Sequence, residues 1–497
     1  MHVRPLRRSL SSALAGLLLG ALGAGCAAPA PSVAPPAPLE PTPHARQRAW
    51  QELEYYAFVH FSMNTFTDLE WGEGIESPNT FAPSALDCRQ WARVAKQAGM
   101  KGIILTAKHH DGFCLWPSKF TTHDVASSGW REGRGDVLRE LSDACREFGL
   151  EFGVYLSPWD RNNPKYGDSP RYNDDFVGQL EEVLSNYGEV FEVWFDGACG
   201  EGPNGKRQVY DWPRFVATVR RLQPQAVIFS DVGPDIRWIG NERGVAGETC
   251  WSMISPEGFE PGAGAPPQEV LNQGLEQGTH WIPGECDVSI RPGWYYHAAQ
   301  DGEVKSLQHL LGLWSASVGR NANLLLNLPV DRRGLVHEND AARLLELRAA
   351  LDAIYAVDLA RTARASASTQ RGGDEHYGPA RAIDADPRTY WALDDGATSG
   401  ELRLEFAQPT RVDRVVVAEA VELGQRVRAF SVHGVSADGA ELELARGTTV
   451  GRKRILEFAP REVRSLVLRI ESARACPTVA SFEAYCAPDE FSASQPR

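Results

Sequence analysis

A chain of 497 residues with 43% hydrophobic residues is too long for one ordinary domain and too apolar to stay disordered, so it should fold as several units. Its 51 Lys and Arg against 65 Asp and Glu leave a formal charge of −14, with no basic cluster outside the extreme N-terminus. Phosphate binding needs a basic face, so nucleic acid is excluded as a partner.

Arg4, Arg7 and Arg8 precede an apolar run from Leu10 to Leu22 and then Ala24-Gly25-Cys26. Residues 1–26 therefore read as an export signal, too short to span a membrane. The LGAGC stretch resembles a bacterial lipoprotein signal, which would lipidate Cys26 and anchor a periplasmic or cell-surface protein to a membrane. An uncleaved or conventionally cleaved signal is the alternative. Residues 27–45 are Pro/Ala-rich and read as a tether. If Cys26 is spent, eight of the nine cysteines remain, without CxxC spacing; buried thiols are the expectation, with Cys476 and Cys486 the one pair worth testing as a disulfide.

Residues 46–355 alternate short apolar runs with amphipathic helical patterns. Strand candidates are Tyr55–Ser62, Gly102–Lys108, Glu151–Pro158, Phe191–Gly197, Gln225–Asp231 and Leu324–Pro329. Repeated β-then-α units imply a parallel sheet, and over this length a closed (β/α)8-like barrel is favoured over an open doubly wound sheet, since no glycine-rich dinucleotide turn follows the first strand. Residues 363–490 change texture to alternating runs such as LRLEFA and RSLVLRI, the pattern of a β-sandwich.

In a barrel enzyme the catalytic groups collect at the C-terminal ends of the strands. Here those ends offer His60, His109-His110-Asp111, Trp159-Asp160, Asp196 and Asp231. Asp196 closes the run VWFD, though a strand-end Asp can also serve a turn or helix cap. The loop GEGPNGK approximates a phosphate-binding loop, but Arg207 replaces its Ser/Thr, and a rim loop beside a pocket fits better. His109 and His110 lack metal-ligand spacing and, on a strand, would point to opposite faces. They could bind ligand hydroxyls or be structural. Trp71, Trp116, Trp159, Trp194, Trp238, Trp251 and Trp294 cluster near polar strand ends, as sugar platforms do. Glycoside hydrolysis needs two carboxyl groups; Asp196 is the first, and Glu242 or Glu248 could be the second.

The motifs FVHFSMNTFTDLEWG, LTAKHHDGFCLWPSKFT, EVWFDGACGEGPNGK, RWIGNERG, ECDVSIRPGWYYH and SVGRNANLLLNLPVDRRG resemble family 29 glycoside hydrolases, the retaining α-L-fucosidases, over roughly residues 48–350. The similarity is greatest to the subgroup preferring α-1,3/1,4-linked fucose on branched glycans. It implies Asp196 as nucleophile and Glu242 as acid/base, the latter kept protonated by a desolvated setting. It also implies His60, Glu70, Trp71, His109, His110 and Trp194 in the fucose pocket, with Arg237, Arg291 and Trp294 lining the site. No cofactor is implied, and the partners would be fucosylated oligosaccharides or glycoconjugates. The loop GEGPNGKR and the motif ECDVSIRPGW are expected to grip a second branch, while Cys199 departs from the family pattern. A broad-specificity fucosidase and a non-catalytic sugar-binding protein are the competing readings. The ARAIDADPRTYWAL stretch resembles a discoidin-like domain, a fold often used to bind carbohydrate.

Overall fold

The computed structural model describes residues 33–492. The export signal at 1–26, including Cys26, lies outside the described residues. Eight parallel strands close a barrel in sequential order: β1 Tyr55–His60, β2 Gly102–Lys108, β3 Glu151–Leu156, β4 Glu192–Trp194, β5 Val227–Ser230, β6 Ile236–Trp238, β7 Gly284–Ser289 and β8 Asn323–Pro329, with β8 pairing back to β1. Six of these match the apolar runs in the sequence; β6 and β7 do not. β6 is three residues long and follows β5 without an intervening helix, and β7 alternates polar Glu285, Asp287 and Ser289 with Cys286 and Val288. The polar set faces the barrel interior, so no apolar run announced the strand.

Amphipathic helices Cys88–Gln97, Val137–Phe148, Ser169–Asn186 and Trp212–Leu222 cover the outside of β1 to β5. Side chains alternate across each strand, so every second residue points inward and stacks in layers. Tyr56, Phe58, Ile104, Tyr155, Trp194, Val227, Phe229, Ile236 and Leu325 form this inner core. Helix Ala45–Leu53 closes the N-terminal end of the barrel, where Trp50 joins the inner core and Gln47 donates to the backbone carbonyls of Asp235 and Trp281.

The second domain is an antiparallel sheet whose two longest strands, Gly400–Glu419 and Arg454–Ala473, run twenty residues each. LRLEFA belongs to the first of these and RSLVLRI to the second. The segment read as a free tether is docked where it is described. Arg371 and Arg426 donate to the carbonyls of Ala34 and Ala37, Leu39 N–H donates to Leu423, and Pro36 is buried. Proline-rich backbone cannot build its own core but can lie along another, with its spare carbonyls taken by arginines. A cleft of about 550 Å³ separates the barrel's N-terminal end from the sheet domain; its charged lining includes both Arg48 and Glu419 and no aromatic ring. All eight described cysteines are free thiols, Cys476 and Cys486 among them.

Candidate active site

Continuing the inward alternation past the strand ends builds a pocket of about 260 Å³ at the C-terminal mouth of the barrel. β1 contributes Phe58 and His60, the loop after it Glu70 and Trp71, and the turn after β2 His109 and His110. Tyr155 comes from β3, Trp194 and Asp196 from β4 and its extension, Glu242 from the loop after β6, Asp287 from β7 and Trp294 from the loop beyond it. Trp194 forms part of the wall, stacked on Phe229 at 3.8 Å and fixed by its indole N–H to Glu285 at 2.8 Å. His109 and His110 do not point to opposite faces. β2 ends at Lys108, so both lie in the turn, their rings 4.1 Å apart on one wall.

The three pocket histidines are neutral. Burial pushes His60 down to about 3, outweighing its bond to Asn327; burial likewise pushes His109 well below the usual range and lowers His110 despite the nearby Asp196 charge. His60 Nδ1 lies 2.7 Å from Asn327 Oδ1, while the Asn327 amide nitrogen donates to Ser289 Oγ and to the Trp294 carbonyl. That network puts the His60 proton on Nδ1 and leaves Nε2 as an acceptor for a ligand hydroxyl. Neutral imidazoles beside tryptophan rings form a surface for a neutral polyol rather than an anion.

Asp196 is a quarter exposed, its two oxygens taking hydrogen bonds from Tyr155 OH at 2.9 Å and the Ala198 N–H at 2.7 Å. Both bonds fix the plane of the carboxylate. Glu242 stands at the mouth and accepts the Trp294 indole N–H at 3.3 Å. It is exposed, not desolvated as expected. Glu248 is elsewhere, ion-paired with Arg320 and with Arg454 of the sheet domain. A second volume of about 350 Å³ adjoins the pocket, reached by Asp196, Cys199, Asp231, Trp238, Glu242 and Asp287. Burial pushes Asp231 up to about 6, with the Asp196 charge adding to the rise against the Gly262 N–H. Burial and then Glu242 hold Asp287 well above the usual carboxylate range.

Two of the expected lining residues are not there. Arg237 is fully buried and spends its guanidinium on the carbonyls of Leu271, Ile282 and Trp251, and Arg291 is buried against Asp340 and Asp301. A buried guanidinium must be paired or bonded, and both find partners in the scaffold, Arg291 through Nε and Nη1 with its Nη2 left unbonded. The GEGPNGKR loop folds into a turn, Gly202 N–H to Lys206 carbonyl, over Tyr166 rather than along the cavity; Cys199, just before it, reaches the second volume together with Gly197 and Ala198, its thiol near the Gln208 carbonyl. Tyr155 and Asp287 were the site residues that sequence reasoning passed over, whereas Asp231 stood among the strand ends it offered. Counting by twos up β3 would have found Tyr155; Asp287 lies on β7, which no apolar run marks as a strand. Trp116 and Trp251 belong to buried packing.

The family model for alpha-L-fucosidase matches residues 42–353. Alpha-L-fucosidase 1 of Arabidopsis thaliana is 41% identical over 462 residues, 92% of this chain and 90% of its own. A glycoside hydrolase 29 family member from an unknown rumen bacterium is 40% identical with a TM-score of 0.81, covering 91% of this chain and 78% of that one. A Ruminococcus gnavus GH29 fucosidase, solved in complex with fucose, is 32% identical with a TM-score of 0.86, covering 93% and 98%. The barrel, its pocket of neutral histidines and paired acids, and these similarities place the chain in the alpha-L-fucosidase family, glycoside hydrolase family 29.

Proposed function

We propose that the protein is a retaining, exo-acting α-L-fucosidase that prefers α-1,3/1,4-linked fucose on branched glycans. The observation that carries this reading is the meeting of Asp196 and Glu242 at one pocket lined by His60, His109, His110 and Trp194. Asp196 attacks the anomeric carbon as the glycosidic oxygen leaves and takes the proton of Glu242. The covalent fucosyl ester is then opened by water, which gives its proton back to Glu242, and fucose departs with its configuration retained. Tyr155 and the Ala198 N–H hold the nucleophile at the angle that attack requires.

The adjoining volume beside Glu242 favours the branch preference, because Trp238 offers an aromatic contact beyond the fucose pocket and Asp287 a polar one where the two volumes meet. Remote binding of that kind can be used at the transition state. Purified protein incubated with fucosylated oligosaccharides should release L-fucose, the first-formed anomer retaining configuration by proton NMR. A Lewis trisaccharide should exceed 2′-fucosyllactose in kcat/KM by at least about tenfold, about 1.4 kcal/mol. Comparable values would reject the branch preference and leave the fucosidase standing. Export, with Cys26 as lipid anchor, and a sugar-binding role for the second domain, discoidin-like in its ARAIDADPRTYWAL stretch, belong to the same proposal and rest on sequence resemblance.

A further inference from the structure

One histidine outside the pocket ties together three loops of the barrel mouth. His297, after β7, places Nε2 2.7 Å from Glu70 Oε1 and Nδ1 2.9 Å from Asp68 Oδ1. Both carboxylates sit in the loop after β1, and Arg332, in the loop after β8, lies 3.8 Å from Asp68 Oδ1. Asp68 is held at a φ of +64°, a left-handed conformation that Asp tolerates better than most residues. Glu70, a pocket residue, also accepts the backbone N–H of Trp294 at 3.0 Å and of Tyr295 at 3.4 Å. A side chain at Gly293 would collide with Glu70 Oε1 and come within 2.9 Å of His297 Cδ2, so only glycine lets the carboxylate lie against that backbone. Trp294 in turn gives its indole N–H to Glu242.

We propose that His297 is a positioning residue: by bridging Asp68 and Glu70 it clamps the β1 loop to the β7 loop and so sets Glu70 and the Trp294 indole against Glu242. A carboxylate accepts and cannot donate, so bonding both oxygens requires an N–H on each ring nitrogen. Burial pulls the His297 pKa down, but the bonds to Glu70 and Asp68 outweigh it and the net shift is upward from 6.5. The clamp is then complete below the ordinary histidine value and opens as pH rises through the raised one. The charged groups facing the ring are Asp68 and Glu70, with Arg332 behind Asp68; each favours or screens the protonated ring but none replaces it.

The kinetic arm of the test rests on the fucosidase reading, and a spectroscopic arm does not. His297→Leu and His297→Gln are compared with wild type on an aryl fucoside from about pH 5 to about pH 9. His297→Leu should raise KM about tenfold at the acid end and lose the alkaline limb, while His297→Gln, able to bond one carboxylate, recovers part of the KM. A scaffold role would lower the melting temperature and leave KM and the profile's shape unchanged, which would overturn the proposal. In 13C-histidine NMR, the resonance that disappears in His297→Gln should titrate above 6.5 in wild type and fall back in Asp68→Asn. Titration at or below the ordinary value would also overturn the clamp. The expected titration in a protein that releases no fucose would support the clamp and count against the fucosidase reading.

Discussion

Strands β4 and β7 each carry acids at two heights, and the two heights have different work. At the lower level Glu192 and Glu285 are wholly buried inside the barrel. Glu192 accepts the Trp50 indole N–H at 2.8 Å, and Glu285 takes Tyr56 OH and the Trp194 indole N–H. Further up the same strands, Asp196 and Asp287 open into the pocket. Functional group and even partner type are the same at both levels, a carboxyl beside an aromatic N–H or O–H, with Glu below and Asp above. What differs is access to a ligand, and access decides whether a carboxyl performs chemistry or holds a tryptophan still.

The largest break in that comparison should come at the upper level of β4. Asp196→Ala should lower kcat by at least about 10³-fold, because no other group at the pocket is placed to form the ester. Its fold should survive, the partners lost being one tyrosine hydroxyl and one half-buried backbone N–H. Circular dichroism melts alongside turnover check both halves, and near-normal turnover in folded protein would remove the nucleophile assignment.

Next in size is Glu242→Ala. An acid matters most when the leaving group is poor, so natural glycans should lose about 10²–10³-fold while activated aryl fucosides lose far less. Azide, small enough to enter where the carboxylate stood, should open the β-linked ester from the Glu242 side, restore turnover and appear as an α-fucosyl azide by mass spectrometry and NMR. That signature arising in Glu248→Ala instead would transfer the role.

How much of this was legible beforehand follows from the layering. Asp196, His60 and Trp194 were readable because each ends or lies within an apolar run, the mark of a parallel strand buried on both faces. β7 was hidden for the opposite reason: Glu285, Asp287 and Ser289 fill its inward positions, so its pattern reads as loop. Arg237 and Arg291 misled because a motif match carries residue identity but not direction, and each points into the scaffold. The acid/base choice was open in sequence, with Glu242 and Glu248 six residues apart in one Gly/Trp-rich stretch. Only the turn between them, led by Asn241 accepting from Arg243 and Val245 N–H, sends one to the pocket and the other to the domain interface.

The lower level can be separated from the upper by pH. Burial, then the neighbouring acid, raises Glu192, and burial pushes Glu285 from 4.5 up to about 7. A carboxyl whose folded value is raised contributes stability that is complete below its unfolded value and lost as pH climbs through the folded one. Wild type should therefore lose stability between about pH 5 and pH 8, by about 2 kcal/mol more than Glu285→Gln over the same span, one proton being worth at most about 1.4 kcal/mol per pH unit. Melting temperatures of both proteins across that range check it. Parallel slopes would mean that the pair is ionised without cost.

The smallest effect should be at Glu248, which separates an acid made for the interface from one made for the mouth. Its carboxylate is two-thirds exposed, so water already screens most of its attraction to Arg320 and Arg454. Arg454, however, is nearly buried, and burial lowers its pKa by more than Glu248 raises it. Removing the carboxylate leaves that guanidinium with the Glu248 backbone carbonyl as its remaining bond there, at 2.9 Å. The loss should come to about 0.5–1 kcal/mol, less than a sealed ion pair would cost and more than a free surface pair. Because the lost contact joins the barrel to the sheet domain and not the pocket, Glu248→Ala should keep kcat/KM within about twofold while its melting temperature falls by one or two degrees. A fall in turnover without a fall in melting temperature would mean that Glu248 reaches the chemistry after all.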